Sequence, residues 1–93
     1  MNYIAEVNAF HRSLLQNDLS CRAVAMWFFL MNRANMAQWK FPLRISELEI
    51  RGTMSMGHEA FLNARAELVE NGYVKHVIQP GRKKPLYYVN SLI

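Results

Sequence analysis

The sequence predicts an α+β domain of about four helices and a small antiparallel sheet with a basic hairpin tip. One observation behind this prediction is a pair of helical segments, 46–51 and 61–72, separated by a tight turn. Another is a hairpin pattern in 73–78 and 86–89, which encloses a turn rich in Pro, Gly, Arg and Lys at 79–85. Helix, turn, helix and hairpin in this order form the layout of a winged helix-turn-helix.

The 93 residues, of which 52% are hydrophobic, suffice for a single domain, 1–93, with one core. An end just after the last predicted strand fits either a complete small protein or the N-terminal domain of a longer one. The lone Cys21 cannot form an internal disulfide, which indicates a reducing compartment. The longest apolar run, 23–31, is far shorter than the roughly 20 residues that span a bilayer. We therefore expect a soluble, cytoplasmic protein with no membrane partner.

Two further helices are predicted at the start of the chain. The first, within 3–15, has an apolar stripe, and Glu6 lies on the opposite side, where we expect it to face solvent. The second, 21–36, follows Ser20, whose hydroxyl is a suitable N-cap. Because this helix is apolar nearly all round, it is either a central helix or also a self-association surface. Burial is the better interpretation, although a surplus of aromatic residues leaves room for a homodimer contact, at Trp27, Phe28 and Phe29.

The sheet is predicted from alternating apolar residues. They predict a short strand in 41–45, which Pro42 restricts to a sheet edge or to a third position beside the hairpin. In the second hairpin strand Tyr87 and Tyr88 are adjacent, so one should face the helices and the other solvent.

The third helix should begin at a capping box, because Ser46 and Glu49 have the spacing of reciprocal caps. Leu48 is then expected to point into the core. Gly52 is expected to end the helix in a left-handed conformation. For the cap of the fourth helix Ser55 is the first choice and Gly57 the alternative.

The fourth helix is predicted to be amphipathic. Phe61, Ala64 and Leu68 share the face that should pack on the first two helices. The opposite face is mixed, with two carboxylates among apolar and amide side chains: Met56, Glu59, Asn63, Ala66 and Glu70.

Several spaced residues then point to a family. The most specific are Leu19-Ser20, Ala25-Met26-Trp27, Leu30-Met31, Asn35 and Trp39. Others follow at Ser46-x-Leu48-x-Ile50, at Asn63-Ala64-Arg65-x-Glu67-Leu68-x-x-x-Gly72, and at Tyr88. In these positions, which cover nearly the whole chain, the sequence resembles the N-terminal winged-helix domain of phage replisome organisers and related DnaD-like replication initiation proteins. The turn before the fourth helix is longer here than in that family.

This resemblance implies binding to origin DNA or to single-stranded DNA during replication initiation, in a bacterium or a phage-infected host. It also implies replication proteins as partners, through a separate C-terminal region that this sequence does not contain. The function expected from the resemblance is therefore that of a phage-type replication initiation (primosomal) protein. A transcriptional regulator on the same fold is an alternative, because fold alone does not separate the two roles.

The basic hairpin tip is the clearest candidate site. Arg82, Lys83 and Lys84 lie between two prolines and cannot belong to a core, and Lys75 lies on the adjoining strand. Such charges can simply keep a hairpin edge from aggregating. Within a winged helix, a phosphate-contacting wing is the favoured interpretation, and binding should then weaken with salt.

The helix-turn-helix offers weaker candidates. Asn63 can pair with an adenine edge in the major groove, and His58 lies near the start of the same helix. Arg51 flanks the turn and can hold a backbone phosphate. Glu59 and Glu70 lie on the same side and would repel DNA, so this face could equally meet a protein. An oligomerisation or partner-docking module without DNA contact therefore stays open.

Catalysis is not indicated. The three histidines are far apart in the chain, and neither a catalytic triad spacing nor a metal-ligand spacing is present. No Gly-rich phosphate loop follows a predicted strand. We expect a protein that is not an enzyme and that uses no metal and no cofactor.

Overall fold

The computed structural model describes residues 1–93 and contains four α-helices and a three-stranded antiparallel sheet. The helices are α1 (Tyr3–Ser13), α2 (Cys21–Met36), α3 (Glu47–Met54) and α4 (His58–Glu70). The strands are β1 (Leu43–Arg44), β2 (Val74–Val77) and β3 (Leu86–Val89), in the spatial order β1-β3-β2. This confirms the α+β class and the predicted order of elements. None of the four helices combines the length and the hydropathy of a membrane-spanning segment.

Helix α2 forms the centre of the core. The Ser20 hydroxyl accepts a hydrogen bond from the Ala23 amide at 3.1 Å, which confirms the predicted N-cap. Phe10 of α1 stacks on Trp27 with 3.8 Å between ring centroids and 3° between ring planes. The residues of α2 that are buried are spaced three and four apart, so they lie along one side of the helix: Ala23, Met26, Trp27, Leu30, Met31 and Ala34. Because α2 contacts α3, α4 and β3 as well as Phe10, its central position is confirmed, but it is not buried all round, since Asn32 and Met36 are exposed.

The prediction that Glu6 faces solvent is wrong. Only 2% of this residue is exposed. Its carboxylate accepts hydrogen bonds from the Ser91 hydroxyl at 2.6 Å and from the Leu92 amide at 2.8 Å. The C-terminal segment lies against this side of α1 and replaces the water that a carboxylate would otherwise keep.

Helix α3 begins as predicted and ends later than predicted. The Ser46 hydroxyl accepts from the Glu49 amide at 3.2 Å, and a Glu49 carboxylate oxygen accepts from the Ser46 amide at 3.4 Å, so the capping box is confirmed. Gly52 does not end the helix, since Ser55 takes the left-handed conformation with φ 53° and ψ 46°. Gly57, the alternative to Ser55, is the N-cap of α4.

The orientation of α3 explains two other wrong expectations. Ile50 is fully buried, while Leu48 is 74% exposed. Residues two apart lie about 200° apart around a helix, so Leu48 and Ile50 cannot both face the core. Met56, expected on the outer side of α4, lies before that helix and is buried.

The sheet has one face against the helices and one face towards solvent. Val74, Tyr87 and Val89 are buried on the inner face, so Tyr87 rather than Tyr88 faces the helices. Strand β1 forms an edge beside β3, in agreement with the constraint set by Pro42. The register places Arg44 opposite Leu86, Lys75 opposite Tyr88 and Val77 opposite Leu86. We call the side of the sheet formed by these residues the outer sheet face: Arg44, Lys75, Val77, Leu86 and Tyr88.

Candidate nucleic-acid interface

The net positive charge of the chain comes from its last part. Residues 1–70 contain seven Lys and Arg and seven Asp and Glu, so their formal charges cancel. Residues 71–93 contain four Lys and Arg and no Asp or Glu, which accounts for the whole formal net charge of +4. The excess of positive charge therefore belongs to the segment that forms the β2–β3 hairpin and the chain end after it.

Two of the predicted cations at the hairpin tip (79–85) are free. Arg82 and Lys83 are exposed and take part in no salt bridge. The turn beneath them is formed by Gly81, whose φ of 71° suits glycine. The Gln79 side-chain amide closes the loop by donating to the Lys84 carbonyl at 2.7 Å. The chain thus presents two cations without a salt bridge on a loop closed by a hydrogen bond, which is a suitable arrangement for contacting an anion.

Lys84 has a different environment from its two neighbours. Its Nζ lies 2.7 Å from Glu49 Oε1, and Arg33 Nη2 lies 3.1 Å from the other oxygen of the same carboxylate. The hydrogen bonds from Lys84 and then from Arg33 lower the pKa of Glu49 from 4.5 to about 2. Lys84 therefore joins the hairpin tip to α3, and much of its charge is balanced within the molecule.

The Glu49 ion pairs are expected to make stability depend on acid pH. Because the folded-state pKa lies below the ordinary value, their contribution is present above the unfolded pKa and is lost as the pH falls towards about 2. Between about pH 5 and pH 2 the melting temperature of Glu49→Gln should fall less than that of the unmodified chain. Circular dichroism melts at constant ionic strength would measure the difference. Glu59→Gln, which removes an exposed carboxylate without a salt bridge, serves as the control. Equal losses for Glu49→Gln and the unmodified chain would contradict the prediction.

Arg51 and His58 are also held by a carboxylate. Arg51 Nη1 lies 3.0 Å from Glu47 Oε2, and His58 Nδ1 lies 2.6 Å from the same oxygen. The hydrogen bond from His58, aided by that from Arg51, lowers the pKa of Glu47. Arg51 Nε also donates to the Met56 carbonyl at 3.3 Å. These contacts join α3, the turn and the start of α4. Arg51 and His58, which are predicted to contact DNA, therefore bind groups of the chain itself in this structure.

The outward side of α4 is acidic rather than basic. Asn63 is exposed, as its predicted role requires, but Glu59 and Glu70 are exposed on the same helix. A groove of about 220 Å³ runs between α4 and β2, and its lining combines apolar and charged side chains: Leu62, Arg65, Ala66, Val69, Glu70 and His76. His76 Nε2 is buried there without a hydrogen-bond partner, and burial together with the nearby Arg65 lowers the His76 pKa.

Lys75 lies on the outer sheet face, away from the helix-turn-helix. It is exposed, and its Nζ lies 5.6 Å from the centroid of the Tyr88 ring. The structure therefore brings Lys75 together with Tyr88, a residue that the sequence did not indicate as part of a site. It separates Lys75 from Asn63 and His58, which belong to α4.

Neither a metal-binding cluster nor a similar known protein adds to the description of the site. No group of three or more His, Cys, Asp or Glu side chains is arranged to hold a metal ion. Comparison of the chain with protein-family models, with curated proteins and with solved structures gives no match.

Proposed function

We propose that this chain is a DNA-binding domain of winged helix-turn-helix architecture that acts in phage-type DNA replication initiation. In this assignment α3 and α4 are the helix-turn-helix, and the hairpin tip is the wing. The observation that carries the DNA-binding part is the concentration of the whole formal net charge in residues 71–93, with Arg82 and Lys83 exposed and unpaired. The replication role is supported by the resemblance of the sequence to replisome organiser domains.

The contacts within the fold divide the predicted DNA-binding residues into two groups. Arg82, Lys83 and Lys75 are free to neutralise phosphates, which releases condensed counterions and favours binding. Lys84, Arg51 and His58 are held by carboxylates of α3 and position the wing and the turn. Sequence reading is left to Asn63, whose amide can form two hydrogen bonds with an adenine edge.

Fluorescence anisotropy tests the proposed function directly. The isolated chain is titrated against a labelled random duplex and a labelled single strand, at about 50 and 200 mM salt. We expect binding at the lower salt and a steep loss of affinity at the higher salt. Absence of binding to both DNA forms at the lower salt would overturn the proposal.

Asn63→Ala is expected to weaken sequence preference rather than general affinity. If the amide makes a bidentate contact, the variant should lose about 1–3 kcal/mol of discrimination between a duplex selected from a random pool and its scrambled version. Competition binding with the two duplexes measures this difference. Asn8→Ala, which changes an exposed asparagine of α1, is the matched control. Equal weakening on both duplexes would exclude Asn63 from sequence reading.

A second candidate function is favoured by the surface of α4. Its exposed carboxylates, Glu59 and Glu70, and the partly apolar groove beside it suit a protein better than a phosphate backbone. On this basis the domain would be an oligomerisation or partner-docking module. Light scattering over a range of concentrations tests the first form, since a concentration-independent monomer would exclude self-association. The same DNA-binding domain in a transcriptional regulator remains the alternative to replication.

A further inference from the structure

The outer sheet face lies opposite the buried sheet residues and is partly open to solvent. On the opposite side α2 contacts β3 and α4 contacts β2, and the buried sheet residues Val74, Tyr87 and Val89 belong to the main core. On the outer face Lys75 and Val77 are exposed, whereas Leu86 and Tyr88 are only partly buried. A three-stranded sheet with an open face of this composition is available for a ligand.

The open face combines an aromatic centre with cations. Tyr88 is on β3, the central strand, and Phe41 lies beside it with 6.5 Å between ring centroids. Lys75 lies over the Tyr88 ring at 5.6 Å. Arg44 is exposed opposite Leu86, the first residue of β3 after the hairpin tip. No Asp or Glu occurs in 40–46 or in 71–93, so no carboxylate side chain comes from the segments that form this face.

The positive charges of this face favour a nucleic-acid strand as its ligand. An apolar protein surface would leave the charged groups of Lys75 and Arg44 without partners, whereas a strand of nucleic acid supplies a phosphate for each of them. Tyr88 adds a ring on which a base can stack. Aromatic rings flanked by cations are the usual means of holding single strands without sequence preference. Bases inside a duplex are stacked on one another and cannot reach such a ring.

We propose that the outer sheet face binds an unpaired DNA strand, with a base stacked on Tyr88 and phosphates held by Lys75 and Arg44. This inference rests on the proposed DNA-binding function and assigns to it a second surface, distinct from α4. Arg44 and Leu86 lie at the end of the sheet that leads into the hairpin tip, so the strand can continue towards Arg82 and Lys83. On binding, the exposed Lys75 side chain moves from the ring to a phosphate and leaves the ring to the base.

The test compares two variants of Tyr88 on two forms of DNA. Anisotropy titrations use a labelled oligothymidylate of about 15 nucleotides, which matches the site size of single-strand binding folds. Tyr88→Leu keeps an apolar side chain but removes the ring, and we expect it to weaken oligothymidylate binding about tenfold or more. Its binding to a random duplex should stay within about twofold of the unmodified chain, because stacked bases do not use the ring. Tyr88→Phe, which keeps the ring, is the matched control and should bind oligothymidylate like the unmodified chain.

The outcomes separate this inference from the proposed function. Binding of the unmodified chain to duplex but not to oligothymidylate overturns the inference alone, and binding to neither overturns both. An equal loss on both DNA forms for Tyr88→Leu also overturns it. If Tyr88→Leu does not melt like the unmodified chain, photocrosslinking of the unmodified chain to a strand containing 5-iodouracil decides the matter. Adducts at Tyr88 or Phe41 support the inference, and adducts found elsewhere only, for example on α4, overturn it.

Discussion

Phe10→Ala is expected to destabilise the fold by about 3–5 kcal/mol, the cost of removing a large aromatic side chain from a packed core. Phe10 is fully buried and stacks on Trp27 with 3.8 Å between centroids. Its ring also meets the rings of Phe28 and Tyr73 edge to face, at 5.9 and 5.3 Å. The variant therefore loses contacts that join α1 to α2 and to the start of the hairpin. Urea denaturation followed by circular dichroism measures the change in the free energy of unfolding.

Helix α1 supplies a control for this prediction. Ile4 is 72% exposed, so Ile4→Ala removes an apolar side chain of the same helix from the surface. Its effect should stay within about 0.5 kcal/mol, as for most surface substitutions. A loss below about 1 kcal/mol for Phe10→Ala would show that the aromatic cluster contributes far less than its burial implies.

Removing the two free cations of the hairpin tip is expected to have the largest effect on DNA binding. The double variant Arg82→Ala, Lys83→Ala removes two charges that no carboxylate of the chain balances. Each phosphate contact that is lost should make the slope of log K against log salt concentration less negative by roughly 0.9. Affinity for a random duplex should fall most at low salt, where counterion release contributes most. Anisotropy titrations at a series of salt concentrations measure both quantities.

The chain offers two controls for that experiment. Arg12→Ala with Arg22→Ala changes the net charge by the same amount at exposed positions outside the hairpin and should leave the salt slope nearly unchanged. Lys84→Ala breaks the contact with Glu49, so it should lower the melting temperature. It should change the salt slope less than the double variant of Arg82 and Lys83 does. If the two double variants flatten the slope equally, net charge rather than the hairpin tip explains DNA binding.

Local signals in the sequence were sufficient for most of the fold. The caps at Ser20 and Ser46, the apolar α2 and the alternating hairpin strands all depend on residues a few positions apart, and the structure contains them. The end of α3 could not be predicted in this way. Gly52 is a common helix terminator, but the fully buried Ile50 anchors α3, which continues past the glycine to Met54. Tertiary packing outweighs the modest cost of a glycine inside a helix.

The candidate site was only partly predictable, for a related reason. The exposure of Arg82 and Lys83 follows from their place in a turn, and the structure confirms it. Lys84 belongs to the same basic run, but its partner Glu49 is 35 residues away in the sequence. The outer sheet face depends on the register of three strands, which places Lys75 opposite Tyr88. A single sequence contains no signal for either long-range contact.

The burial of Glu6 has a consequence for how the chain is made. Its two hydrogen-bond donors, Ser91 and Leu92, are 85 and 86 residues further along the chain. On a translating ribosome, α1 therefore emerges long before the groups that solvate its buried carboxylate. Completion of this part of the fold has to wait until Ser91 and Leu92 have left the exit tunnel. A nascent chain released at Asn90 would lose both hydrogen bonds to the Glu6 carboxylate, each worth about 1.5–3 kcal/mol. We expect such a product to be removed by the proteases that degrade unfinished proteins.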